Sequence, residues 1–429
     1  MINDLNDVPS DLVTTRPAPA ALQAPKRVFP NGTVTTVAPE VTLPTTYAIT
    51  LPEGYIGDNH IFGTWRDQPY VFSMGLWWNT PDKAHFQGLY GQTTQRGGLY
   101  PTTRYIPHTV YTAQAWGGAA FQHFILDALP KLALVLAPLH QDTEARLVTN
   151  TESAFAKWVL QKLDLWHRTL PSIGWAVKSP FVYQAKRAVY VDSGPAAKID
   201  GRVRHGVYAR GTLLPLQRAL GVLEDPAQDV VIWVDRQSGH GRRHLHDDIK
   251  AGLQKALETL LHTTMVSASA WHPGDTLVEF KGSSGNYDDD LKLFRRARVV
   301  VGPHGGGLAN AVLCKPGTAL IELMPIEQLP TMKERHRTSV YAYYGLSQSA
   351  GLDYYSVPIR NFCFDCMPHH LDVDVGDVVA AVRHVLGSRE RETTQVIHHL
   401  VSPRLAPNNT RRHMQVRVGV CRGMIGQDP

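Results

Sequence analysis

The stretch richest in possible chemistry is Val299–Asn310, VVVGPHGGGLAN. An apolar run enters Gly302, Pro303 and His304, passes three glycines and continues into a helical pattern. Glycine lets a backbone approach a ligand closely and take positive φ. A helix that begins directly after the glycines points its free amides, and the positive end of its dipole, into the loop. Gly305, Gly306, Gly307 and Leu308 are therefore candidate anion-binding positions, with His304 as a further contact to phosphate or sugar. A diphosphate suits such a loop. A tight strand–helix turn with no ligand is the other reading. Leu308-Ala309 stands where a P-loop needs Lys-Ser/Thr, and the dinucleotide pattern Gly-x-Gly-x-x-Gly fits poorly.

Other residues fall where they would serve the same ligand. Arg236 directly follows the β-branched run Asp229–Asp235, and Arg242 and Arg243 come shortly after. Open α/β sheets bind ligands in the crevice at the carboxyl ends of their strands. Arginine there grips phosphate oxygens bidentately, although a solvated charge pair is the plain alternative for Arg242-Arg243. Glu322 closes the run LIEL, where a carboxylate accepts hydrogen bonds from ribose hydroxyls or serves as a salt-bridge partner. His123 and Asp127 stand four apart on one helical face, so the Asp can orient the His as a base. A purely structural pair is the other reading.

Two clusters invite a metal reading. Asp288-Asp289-Asp290 opens a helix, which favours a dipole-matched cap over a cation site. Cys363-Phe-Asp-Cys366, followed by His369-His370, is half of a zinc motif; a redox pair, a local disulfide or buried thiols fit as well.

The elements that must hold these residues alternate. Asp229–Asp235, Arg298–Gly302 and Thr318–Leu323 read as strands, with Thr263–Ser267 as a further short one. Asp247–Leu261, Asp288–Ala297 and the start of Gly306–Leu313 read as helices. That alternation means βαβ units and a parallel sheet. Earlier in the chain, Arg146–Asn150 and Ala188–Asp192 read as strands, and Glu152–Leu165 and Gly211–Val222 as helices. Phe121–Leu129 has helical spacing that Pro130 kinks or ends.

Composition bounds the class. The chain has 429 residues, with 9 Trp, 16 Tyr and 12 Phe to build cores, so it is a folded protein of about two domains. A net charge of +5 suits a polyanionic ligand and is too small to point to nucleic acid. Four cysteines are no disulfide scaffold. Met1–Ser10 has no apolar core of the secretory kind, and Phe124–Leu139 is interrupted by Asp127, Pro130 and Lys131. The expectation is a soluble, cytoplasmic chain with no transmembrane segment. The divisions expected are a flexible lead-in over 1–45, a first domain over 46–225, a second over 226–385, and a crossover helix with tail over 386–429.

The run Arg298–Asn310, with Lys315-Pro-Gly-Thr318 and Ile321-Glu-Leu323, closely resembles the signature of glycosyltransferase family 61, with Gly306 in place of the usual Ala. Trp233–Arg243, Gly117–Leu132 and Tyr341–Tyr355 resemble further segments of that family, with Lys131 in place of its Arg. The resemblance implies a GT-B fold, two Rossmann-like α/β domains facing a cleft. It implies an inverting transfer of a sugar from a nucleotide diphosphate donor, UDP-linked, to a glycan or glycoconjugate hydroxyl, with no metal and no other cofactor. Arg236, the 242–243 pair and the glycine-loop amides would carry the departing diphosphate, and His123 with Asp127 the base. A non-catalytic glycan-binding module, or another nucleotide-dependent α/β enzyme, is the alternative.

Overall fold

The computed structural model describes residues 10–16, 25–36, 41–42, 46–57, 60–66, 68–73, 102–115, 118–173, 181–192, 198–199, 202–203, 208–224, 227–235, 244–245, 247–267, 276–324, 341–360 and 370–387. Two large sheets carry it.

The second half of the chain builds the more regular one. Its strands lie in the order Thr276–Phe280, Val230–Val234, Ala297–Pro303, Ala319–Leu323, Asp353–Val357, Lys26–Val28, Val34–Thr36. All neighbours are parallel except the last pair. Taken in chain order from Val230, the five main strands run 2-1-3-4-5, a doubly wound order whose switch point lies between the first and third. Strands buried on both faces should be apolar throughout, and Val230–Val234, Ala297–Pro303 and Ala319–Leu323 are buried at every position.

Alternate residues of these strands feed two cores. Val231, Trp233, Val299 and Ile321 meet Leu253 and Leu257 of the helix Asp247–Ser267, and Val378 and Val382 of a helix over 375–387. Val230, Ile232, Val300 and Leu320 meet Phe294, Leu308, Val312 and Tyr344 from the helices on the other face. This second cluster continues into Phe124, Leu132 and Phe155 of the first half, so both halves share one apolar core.

The first sheet is mixed. Thr169–Leu170, Arg146–Val148, Thr102–Thr112 and Phe181–Asp192 are parallel neighbours. Thr46–Pro52, and the meander Tyr55–Gly57, His60–Trp65, Gln68–Ser73, extend it antiparallel.

Several sequence expectations change. The segment expected as a flexible lead-in supplies Val13–Arg16 to the first sheet and the strands Lys26–Val28 and Val34–Thr36 to the second. Its β-branched and alternating residues find sheet edges to join. Thr263–Ser267, expected as a strand, is the last turn of the helix Asp247–Ser267; the strand beside Val230–Val234 is Thr276–Phe280. A β-branched run is only a weak propensity signal. The helix over 375–387 buries Val382 and Leu386 in the second sheet's core, and the rest of the segment expected as a crossover helix and tail lies outside the described residues.

Pro130 neither ends nor sharply breaks its helix. Phe121–His123 is α-helical, Phe124–Ala128 forms a π-helical segment, and Leu129–Gln141 resumes α-helix with Pro130 in its first turn. A proline ring clashes with the carbonyl four residues earlier, and the wider π turn relieves that clash. The helix Phe121–Gln141 is long and apolar enough to cross a membrane by length and composition, and 72% of its apolar window is buried in the core.

Candidate active site at the glycine loop

The strand Ala297–Pro303 ends at the switch point, and the glycine loop follows it into a 3-10 helix, Gly306–Leu313. Gly302 and Gly307 are required by packing. A β-carbon at Gly302 would come within 2.8 Å of Val234 Cβ, and one at Gly307 within 2.7 Å of Val234 Cγ1. Gly306 is different: a β-carbon there meets Gln122 Oε1 at 3.7 Å, an ordinary contact.

The loop is wired from behind. His304 Nδ1 lies 2.5 Å from Glu322 Oε1, and Glu322 Oε2 accepts from the Tyr354 hydroxyl at 2.6 Å. The Tyr343 hydroxyl donates to the Gly305 carbonyl at 2.5 Å, and its ring meets the His304 ring edge-on at 5.1 Å. Gln217 Nε2 donates to the carbonyls of Val312 and Cys314, closing the far end of the 3-10 helix.

These contacts correct two expectations. Glu322 has no exposed side-chain surface, so it orients His304 and does not reach for a ribose. The Leu308 amide donates to the Gly305 carbonyl at 3.0 Å, so the loop spends it internally. The first-turn amides of Gly306 and Gly307 precede any partner within the helix.

In front of the loop lies a cavity of about 510 Å³, within the usual range for small-molecule sites. Gly305, Gly306, Gly307 and Asn310 form one wall; Asp235, Phe280, Lys281, Gly282 and Ser283 form another. Phe121, Gln122 and Ser153 close it from the first half. Asp235 is held by Lys250 at 2.6 Å, and Lys250 also meets Glu279 at 2.8 Å. Burial alone would pull the Lys250 pKa down, but the two carboxylates outweigh it and hold it above the ordinary value. Lys250 in turn holds the Glu279 carboxyl below its usual range.

Gln122 owes its place to a tight joint. Asn150 Oδ1 accepts from the Ala115 amide at 2.7 Å, and Gly118 packs so closely on Asn150 that a β-carbon would lie 2.2 Å from the same oxygen. The helix then starts at Phe121. One residue past Gln122, His123 Nδ1 lies 3.2 Å from Asp127 Oδ2. His123 is the accessible partner, with a side chain 24% exposed against 8% for Asp127. The π segment that carries Asp127 packs against both the 3-10 helix and the helix Ala342–Ala350.

Of the expected site residues Gly305, Gly306 and Gly307 line the cavity, while His123, Asp127, His304, Leu308 and Glu322 lie off its wall. Arg236, Arg242, Arg243, Cys363 and Cys366 lie outside the described residues. Of the acidic triplet, Asp288 pairs with Lys162 and Asp289 with Lys292, while Asp290 is buried. Sequence reasoning missed Gln122, Lys250, Tyr343 and Tyr354. Gln122, Tyr343 and Tyr354 left a trace only through the resemblance of Gly117–Leu132 and Tyr341–Tyr355 to family segments.

The family model Glycosyltransferase 61 matches residues 121–321, from the helix bearing Gln122 through the glycine loop to the strand before Glu322. Over those residues the chain carries a glycosyltransferase family 61 domain. Its substrates are accordingly a sugar donor and an acceptor. The family 61 match begins at the helix that closes the cavity and takes in the whole glycine loop. No curated protein matches the chain.

Proposed function

We propose that this family 61 protein transfers a sugar from a nucleoside diphosphate donor, UDP-linked, to a glycan or glycoconjugate hydroxyl, with inversion and without a metal ion. The observation that carries the reading is the glycine loop at the switch point of a 2-1-3-4-5 sheet, with Gly305, Gly306 and Gly307 lining a cavity that a helix of the other half closes.

The halves then act as the two sides of a GT-B enzyme, 226–385 holding the donor and 46–225 the acceptor. The diphosphate sits against the amides of Gly306 and Gly307, where unsatisfied N–H groups and the helix dipole stabilise its charge. Charge grows on that diphosphate as the glycosidic bond breaks, and preorganised dipoles are most effective where charge develops. Arg236 and the Arg242–Arg243 pair add guanidinium groups at the end of the neighbouring strand. His304, held by Glu322, stiffens the loop from behind. His123 takes the proton of the acceptor hydroxyl as it attacks the anomeric carbon. Asp127 accepts from His123 Nδ1–H and so leaves Nε2 as the basic nitrogen.

The test is transfer in the presence of EDTA, from a panel of UDP- and GDP-linked sugars to mixed oligosaccharide acceptors, with product anomers assigned by NMR. The reading predicts nucleoside diphosphate release coupled to a glycoside of inverted configuration. Binding without release would favour the non-catalytic glycan-binding module. Retention, or release only with added metal, would overturn the mechanism.

A further inference from the structure

The cavity wall contributed by the first half contains a side-chain amide, Gln122, placed directly over the glycine whose side-chain position is open. At Gly307 packing excludes a β-carbon, because Val234 Cγ1 stands 2.7 Å away. At Gly306 the nearest atom to such a carbon is Gln122 Oε1, at 3.7 Å. The core therefore does not demand glycine at 306. What a side chain there would fill is the space between the loop and Gln122, and both residues line the cavity.

We propose that Gln122 is a specificity residue that reads hydroxyls of the transferred sugar, and that Gly306 supplies the room for that sugar ring. The inference rests on the donor reading above and extends it. Chemistry requires the anomeric carbon to lie where the base can serve the attacking hydroxyl, so the sugar end of the donor must face the helix that carries His123 and Asp127. Gln122 belongs to that helix and is the residue before His123. A neutral amide is also the right group there. It offers an acceptor and two donors, which matches neighbouring hydroxyls on a sugar ring, and it adds no negative charge beside a diphosphate.

The experiment measures two affinities by calorimetry in EDTA for wild type, Gln122→Ala and Gly306→Ala. One is for the free nucleoside diphosphate; the other is for the nucleotide sugar that wild type prefers from a UDP- and GDP-linked panel. Melting temperatures report folding. Gln122→Ala is expected to weaken the nucleotide sugar by about tenfold, the loss of roughly one hydrogen bond, and to change the free diphosphate by less than about twofold. Gly306→Ala is expected to weaken the preferred nucleotide sugar as well, because its methyl enters the space between the loop and Gln122. Equal losses for both ligands, or no loss for either, would overturn the assignment of Gln122. A wild type that binds no nucleoside diphosphate at all would instead overturn the donor reading on which it rests.

Discussion

His304 Nδ1 and Glu322 Oε1 lie 2.5 Å apart, and the glutamate side of that pair has no exposed surface. The contact joins the loop residue that precedes the glycines to the centre of the next strand, and Tyr354 ties the same carboxylate to the strand after that. The glycine loop is thus held by a buried polar chain spanning three adjacent strands.

Glu322→Ala would remove the carboxylate that both His304 and Tyr354 hydrogen-bond, at about 1–3 kcal/mol for each contact. The expected loss is about 2–6 kcal/mol in denaturant unfolding. Glu322→Gln keeps shape and one acceptor, so its loss should be smaller, about 1–3 kcal/mol. A Glu322→Ala protein as stable as wild type would remove Glu322 from this role.

The glycines should separate cleanly. Gly307→Ala presses a methyl on Val234, and overpacking of that kind costs about 1–3 kcal/mol. Gly306→Ala meets only an ordinary contact and should stay within about 0.5 kcal/mol of wild type, as substitutions free of clash do. Thermal melts of the two variants check the order.

The acidic helix start carries opposed pH effects. Lys162 beside Asp288 holds its carboxyl below the usual value, so that contribution is present at neutral pH and lost as pH falls through the lowered pKa. Asp290 is the reverse. Burial raises its pKa, and its Oδ2 is buried with no hydrogen-bond partner among the described residues. The folded protein then binds more protons than the unfolded one between the ordinary and the raised value, so stability falls as pH rises through that window. Asp290→Asn should raise the melting temperature at pH 7–8, with the gain shrinking towards acid. A gain that is constant with pH would contradict this.

The proposed base predicts a kinetic signature. His123→Ala and Asp127→Asn should each lower kcat by about 10²–10⁴, the usual contribution of a general base. Affinity for the free nucleoside diphosphate should be unchanged. Variants that lose affinity and keep kcat would move both residues out of catalysis.

Much of the second half was legible in the sequence, because its strands are buried on both faces and therefore read as plain apolar runs. Val299–Gly302, Ile232–Val234 and Leu320–Leu323 fall where that pattern puts them. The strand Thr276–Phe280 was not legible. Its TLVEF pattern is half-exposed at an edge, while the β-branched residues before it stay helical. The site was legible where it is backbone, in the glycines, and partly where it is local, in His123 and Asp127. Gln122 and Lys250 were not, since their roles come from partners far away in the chain. Glu322 was legible by position but not by role, because only the fold puts His304 and Tyr354 on its two oxygens.

The central claim is that the amides of the glycine loop hold the donor's diphosphate. Gly306→Asp tests it most directly, since the site has room for a β-carbon and an acidic residue in a helix first turn does not harm the helix. The measurement is calorimetric titration of wild type and Gly306→Asp with UDP, GDP, uridine and NAD, in EDTA. The account predicts that wild type binds one nucleoside diphosphate, binds neither uridine nor NAD comparably, and loses that affinity on Gly306→Asp while its melting temperature holds. Undiminished binding by Gly306→Asp, or a wild type that binds NAD in place of any nucleoside diphosphate, would contradict it.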